Sequence, residues 1–245
     1  MKNIILLIAV VIIAIVAITV YRNSKREKPL VIIMMGAPGS GKGTNAIEIS
    51  KKLNLPHIST GDLLRENIKN QTKLGSLAKQ TINKGQLVSD ELVIDMLFDH
   101  INSKGYNKTG YILDGFPRTI NQAEILDSKL DNNYKKMVIN LNIADEKLID
   151  RITNRLMCKS CGAPFNKINS PPKVEGKCDF CQGDLYQRED DTKEVLKKRI
   201  EVYYKDTKPI LNYYNKQNIV HDIDSNKERT VVFENLLKTI KESKV

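Results

Sequence analysis

The sequence predicts an α/β fold, a parallel sheet with helices packed on both faces. Three observations carry that expectation. Leu30–Met35 (LVIIMM) is a continuous apolar run, as a strand buried on both faces requires. Shorter apolar runs recur at 57–59, 111–113, 137–143 and 219–223. Helical patterns lie between them, and strands that alternate with helices favour a parallel sheet.

In chain order, the first strand leads into a glycine-rich turn and then a helix expected over Lys42–Leu53. Further helical periodicity covers 63–70, 74–83, 91–103, 120–130, 146–157, 194–204 and 228–240. The 146–157 pattern puts Arg151 and Arg155 four residues apart on one helix face. One interval breaks the rhythm. Residues 158–186 hold Pro164, Pro171, Pro172 and all the cysteines without a helical period, and read as a small lobe inserted into the core.

At 245 residues the chain can form one sizeable core with one or two small lobes. Apolar content of 41% and charged content of 28% argue against a disordered chain. The net charge of +10 suits an anionic partner: nucleotide phosphates, nucleic acid or an acidic membrane surface. Residues 4–20 form an unbroken apolar run followed by Tyr21 and the basic group Arg22, Lys25, Arg26 and Lys28. Such a run spans about 25 Å as a helix, at the short end of what crosses a bilayer. A cleaved signal peptide would need a better small-residue cleavage site than Ala17-Ile18-Thr19, and a core helix would carry a polar face. The expectation is an uncleaved membrane anchor over 1–21, a basic linker over 22–29 and a cytoplasmic domain from residue 30 on the inner face.

Chemistry begins at Gly36-Ala37-Pro38-Gly39-Ser40-Gly41-Lys42-Gly43-Thr44, between a buried strand and a helix start. In that setting glycines let backbone N–H groups turn inward around phosphate oxygens, the helix N-terminus adds favourable partial charge, and Lys42 reaches the outer phosphates. The four cysteines follow C-x2-C-x16-C-x2-C: Cys158, Cys161, Cys178 and Cys181. Paired knuckles of this kind offer four thiolates to a closed structural zinc site, in a reducing compartment. Gln182 stands where the second knuckle would favour glycine. Histidines His57, His100 and His221 sit in no motif, and His57 reads as a strand residue.

The GKGT ending of the loop, with Ala37-Pro38 inside it, resembles the adenylate kinases and related nucleoside monophosphate kinases. The similarity continues through Ser59-Thr60-Gly61-Asp62-Leu63-Leu64-Arg65, Gly85-Gln86-Leu87-Val88-Ser89-Asp90 and Asp114-Gly115-Phe116-Pro117-Arg118-Thr119, in order, and covers nearly all of residues 30–245. It implies a P-loop core with a five-stranded parallel sheet, an AMP-binding lobe over 60–89 and a zinc lid over 155–191. It implies ATP contacts at Gly39, Ser40, Gly41, Lys42, Gly43, Thr44, Arg151, Arg155, Pro164 and Phe165. AMP contacts are implied at Thr60, Arg65, Gln86, Leu87, Val88, Gly115, Phe116, Pro117, Arg118, Gln122, Arg188 and Arg199. Catalysis would fall to Lys42, Asp114, Arg118, Arg155, Arg188 and Arg199, with Asp114 helping to hold hydrated Mg2+ and with ATP, AMP and ADP as substrates and products. Phe165-Asn166 replaces the family's usual aromatic–histidine pair.

The physics of the reaction agrees with that inventory. Phosphoryl transfer to an ionised acceptor needs alignment and charge neutralisation rather than a strong base, and guanidinium groups supply both. A nucleic-acid-binding zinc module is disfavoured, because the cysteine lobe is embedded between phosphate-binding arginines and lacks a basic or aromatic stripe. A scaffold with a dead kinase fold is disfavoured because no phosphate-contacting residue is missing. The alternative, a kinase for another monophosphate (UMP/CMP or GMP), is opposed by the long lid, which the family's pyrimidine kinases lack, and by Gln122, whose amide matches adenine's edge. A monomer without nucleic-acid partners is expected.

Overall fold

The computed structural model describes residues 28–243. In order the elements are β1 (Leu30–Met35), α1 (Lys42–Leu53), β2 (His57–Ser59), α2 (Thr60–Lys69), α3 (Lys73–Asn83), α4 (Asp90–Ser103), β3 (Gly110–Asp114), α5 (Ile120–Leu130), β4 (Lys135–Asn142) and α6 (Glu146–Thr153). Then come β5 (Arg155–Cys158), β6 (Pro164–Asn166), β7 (Leu185–Tyr186), α7 (Lys193–Val202), a π-helical turn Tyr203–Thr207, α8 (Ile210–Asn215), β8 (Val220–Asp224) and α9 (Arg229–Ser243).

The main sheet has the order β2-β3-β1-β4-β8 and every pairing is parallel, as expected. Alternation along β1 builds a core on each face. Val31, Ile33 and Met35 pack with Leu97 of α4, Leu126 of α5 and Tyr214 of α8. Leu30, Ile32 and Met34 pack with Ile49 of α1 and Leu236 of α9. A fully buried aliphatic side chain of this size contributes about 1.5–3 kcal/mol, so the double-sided burial of β1 anchors everything attached to its C-terminal end. That end is a switch point, where β1 lies between β3 and β4 and the following connections leave on opposite sides.

Several helices start before their apolar pattern because a hydroxyl caps them. Ser59 accepts from Asp62 N at α2, Thr72 from Gly75 N at α3, and Thr192 from Val195 N at α7. One expectation needs correcting. The 146–157 pattern is not one helix: α6 stops at Thr153, and Arg155 opens β5. Residues 155–158 leave the helix because their backbone groups pair antiparallel with 164–166 on one side and 185–186 on the other. The result is a separate three-stranded sheet, order β6-β5-β7, over part of the interval that lacked helical period.

The apolar run expected to anchor the chain, 4–20, lies outside the described residues. Among the described residues no helix is long and apolar enough to cross a membrane.

Candidate active site

The loop after β1 takes its shape from glycine. Gly41, at φ 95°, is the N-cap of α1 and turns the chain so that the first helical N–H groups face outward. Lys42 Nζ folds back over the loop and donates to Gly36 O at 2.7 Å and Ala37 O at 2.9 Å. Gly43, the glycine after the lysine, has a local reason: a Cβ there would stand 3.0 Å from Asp114 Oδ2. The carboxylate at the end of β3 thus approaches the loop where no side chain intervenes.

The loop opens on one cavity of about 980 Å³, large enough for more than one small ligand. Lys42, Gly39, Gly41, Gly43 and Thr44 line it. Arg65, Leu87, Asp114, Gly115, Pro117 and Arg118 line it too, as do Arg151, Arg155, Pro164, Phe165, Arg188 and Arg199. A smaller cavity adjoins it, walled by Thr60, Gln86, Val88 and Gln122. Two expected contact residues point elsewhere. Ser40 is fully buried beneath the loop, where its carbonyl accepts from Ser225 Oγ at 2.7 Å, and Phe116 is packed into the core beside Tyr111 and Leu113. Phe165 reaches the cavity edge but spends most of its surface in the lid's own core with Leu156 and Leu185.

Four of the arginines are paired with carboxylates and two with backbone carbonyls. Arg155 forms a two-pronged pair with the fully buried side chain of Asp191, the Nε contact being 2.8 Å. Arg199 donates to Asp190 at 3.0 Å, and Arg188 and Arg65 share Asp62, the former at 3.2 Å. Arg118 Nε donates to Gly115 O at 2.8 Å, and Thr60 Oγ1 donates to the same oxygen at 2.8 Å. Arg151, on α6, donates to Ser225 O at 2.9 Å. Such pairing leaves each guanidinium fork with donors to spare.

Electrostatics make this cavity one that waits for anions. Burial lowers Lys42 from a lysine's ordinary range to about 8; Asp114 opposes that, while Arg118, Arg199 and Arg155 add to it. Burial likewise lowers Arg188 to about 10, with Arg65 and Arg155 adding repulsion. Arg199 is lowered to about 10 by burial, which Asp190 only partly offsets. Burial alone would raise Asp114, but His57, Lys42 and Arg118 hold it below the usual carboxylate range.

Several groups at the cavity carry no local signal in the sequence. His57, taken as a strand residue, does lie in β2, and its Nε2 also stands 3.6 Å from Asp114 Oδ2 at the cavity wall. The anchoring acids Asp190 and Asp191 were visible beside Arg188 in Gln187-Arg188-Glu189-Asp190-Asp191, but nothing local says which arginine each one faces. Gln122 is engaged more fully than expected: its Oε1 accepts from Arg118 N at 2.7 Å and its Nε2 donates to Asp90 at 2.8 Å.

Both implied metals suit the residues present. The four cysteine sulfurs all lie within 4.8 Å of one another, with Cys158–Cys181 at 3.4 Å and Cys161–Cys178 at 3.6 Å. Tetrahedral zinc with bonds of about 2.3 Å places sulfurs about 3.8 Å apart, whereas a disulfide requires about 2.05 Å. Gln182 takes φ 60° where Gly162 takes 71° in the first knuckle, so both turns share one left-handed geometry. For magnesium, Asp114 and Thr44 supply oxygens beside the loop, in keeping with an ion that keeps most of its waters and takes few protein ligands.

Comparison with known proteins agrees with this geometry. A family model described as Adenylate kinase matches residues 34–219. A protein of Caldicellulosiruptor bescii named adenylate kinase is 51% identical over 191 residues, 77% of this chain and 88% of the relative. One of Methanocella arvoryzae with the same name is 49% identical, covering 80% of this chain and 91% of its own length. A third, of Clostridioides difficile, is 46% identical over 85% of this chain and 97% of its own length. The loop, the arginine-lined cavity and these similarities agree: the chain belongs to the adenylate kinase family.

Proposed function

We propose that the enzyme transfers the terminal phosphoryl group of ATP to AMP, reversibly, giving two ADP. The observation that carries this is the convergence of Lys42 with Arg65, Arg118, Arg155, Arg188 and Arg199 on one cavity. An oxygen of the AMP phosphate attacks the terminal phosphorus of ATP, and the bond from that phosphorus to the bridging oxygen breaks, leaving its electron pair on ADP. Gly39–Thr44 and Lys42 hold the ATP phosphates, with Arg151 and Arg155 alongside. Arg65 and Arg118 clamp the AMP phosphate over Thr60 and Gly115, and Arg188 and Arg199 bridge the two. Their value lies in meeting charge that spreads over the transferring group without reorganising. Asp114 and Thr44 would hold a magnesium ion bound with ATP, which would supply further charge neutralisation, and Cys158, Cys161, Cys178 and Cys181 would hold a zinc ion that shapes the lid over 155–191.

Gln86, Leu87, Val88 and Gln122 wall a recess of about 60 Å³ beside the main cavity, where an edge of the AMP base would enter. A coupled assay of residues 29–245 with ATP and each monophosphate tests the reading: AMP is expected to be the preferred acceptor, and a preference for UMP or CMP would overturn it. The apolar run 4–20 and the basic residues after it further support tethering to the inner face of a membrane. Tagged full-length protein should pellet with membranes through carbonate washing, while 29–245 stays soluble and active; full-length protein in the soluble fraction would remove the tether.

A further inference from the structure

Asp90, the first residue of α4, is far more committed to the neighbouring turn than a helix-start acid needs to be. Its Oδ2 accepts from Thr119 Oγ1 and Asn121 Nδ2, each at 2.8 Å, and its Oδ1 accepts from Gln122 Nε2 at 2.8 Å. At the other end of the same amide, Gln122 Oε1 accepts from the backbone N–H of Arg118 at 2.7 Å. The two neighbours agree on orientation. A carboxylate only accepts, so it must face the amide nitrogen; a backbone N–H only donates, so it must face the amide oxygen.

We propose that Asp90 is a specificity-determining positioning residue, which fixes the direction of the Gln122 amide and thereby selects a 6-amino purine over a 6-oxo purine in the acceptor nucleotide. The proposal rests on the reading of the smaller cavity as the acceptor base site. With one hydrogen and one lone pair used, Gln122 keeps one donor and one acceptor for a ligand in the cavity it lines. Adenine offers a complementary pair, the 6-amino donor and the N1 acceptor. Hypoxanthine and guanine present the reverse, a 6-oxo acceptor and an N1–H donor. Reading them requires the amide to turn over, which sets Oε1 against the Asp90 carboxylate and Nε2 against the Arg118 N–H. Two matched contacts become two opposed ones, so discrimination comes from a built-in repulsion as well as from attraction.

Asp90→Asn isolates this effect. The asparagine oxygen can still serve Thr119 and Asn121, which turns its NH2 toward Gln122. The introduced asparagine then favours the overturned amide while Arg118 N–H favours the original, and the preference should collapse. With full-length protein, we expect the ratio of kcat/KM for AMP to that for IMP to fall at least about tenfold. The change should lie mainly in the KM values for the monophosphates, with the KM for ATP and the Tm little altered. Asp90→Ser, whose hydroxyl tolerates either amide direction, should relax the ratio too and covers the case in which the asparagine variant does not fold. A folded variant that keeps its AMP-over-IMP ratio within about twofold would overturn the proposal, as would equal losses with both nucleotides accompanied by a raised KM for ATP. An unmutated enzyme without preference for AMP would overturn the acceptor reading itself, and this inference with it.

Discussion

Lys42 shows how burial sets up a residue for its ligand. Its amine spends its donors on two loop carbonyls and is lowered to about 8 by burial. Phosphates entering the loop restore the reason to be charged. At pH 7 the amine is already protonated and binding takes up little; near pH 9 it is largely neutral in the free enzyme and must gain a proton. Calorimetry of ATP binding at pH 9 in buffers of different ionisation enthalpy should therefore report uptake approaching one proton, and Lys42→Met should abolish that uptake. The same variant should lose at least about a hundredfold in kcat with its fold intact, because the lost charge acts where negative charge gathers. The glycine at 43 and the lysine at 42 were legible from the loop motif. That Asp114 is the neighbour for which Gly43 leaves room was not, because the two meet only when β1 and β3 pair.

Among the elements, the lid is the one whose stability depends least on the sheet beneath it. Its apolar core is small, built around Cys158, Phe165 and Cys178 with Leu156, Ala163 and Leu185, and its strands are two to four residues long. A sheet of that size is marginal without a staple, which four thiolates around zinc would provide. Purified protein should contain about one zinc per chain. Mild chelation should speed amide exchange over 155–186 while β1, β3 and β4 keep their protection; equal loosening of both regions would show that the metal supports the whole fold. The cysteine spacing announced this lobe, but not the end of α6. Arg151 and Arg155 look like one helix face, yet Asn166 pairs with Arg155, 185–186 pair with Met157 and Cys158, and periodicity carries no information about distant partners. Both arginines still reach the same cavity, Arg155 by way of Asp191 rather than a helical repeat.

At the scale of the whole molecule, the cavity is walled by the sheet's C-terminal end, the α2–α3 lobe and the lid, and the Arg188–Asp62 contact joins residues from the latter two across it. An inhibitor carrying two adenosines joined through phosphates should therefore engage all three at once. At one hundred times its Kd it should stabilise the protein by about 2.7 kcal/mol. It should also slow amide exchange in α2 and in β5–β6 together. Protection of only one of these regions would separate the two nucleotide sites physically.

The sequence by itself determined the parallel sheet, the phosphate loop and the cysteine knuckles, because each is a local matter of alternation, backbone freedom or spacing; the set of arginines was legible only through the family resemblance of the motifs around them. Only the tertiary structure decided which carboxylate stands behind which arginine, that Phe116 and Ser40 turn away from the cavity, and that Gln122 is gripped from both ends. Those outcomes depend on strands and lobes brought together from far apart in the chain: Asp191 lies 36 residues from Arg155, and Asp62 lies 126 residues from Arg188. A carboxylate's partner is set by which cation the fold leaves within reach, and no local pattern encodes that distance.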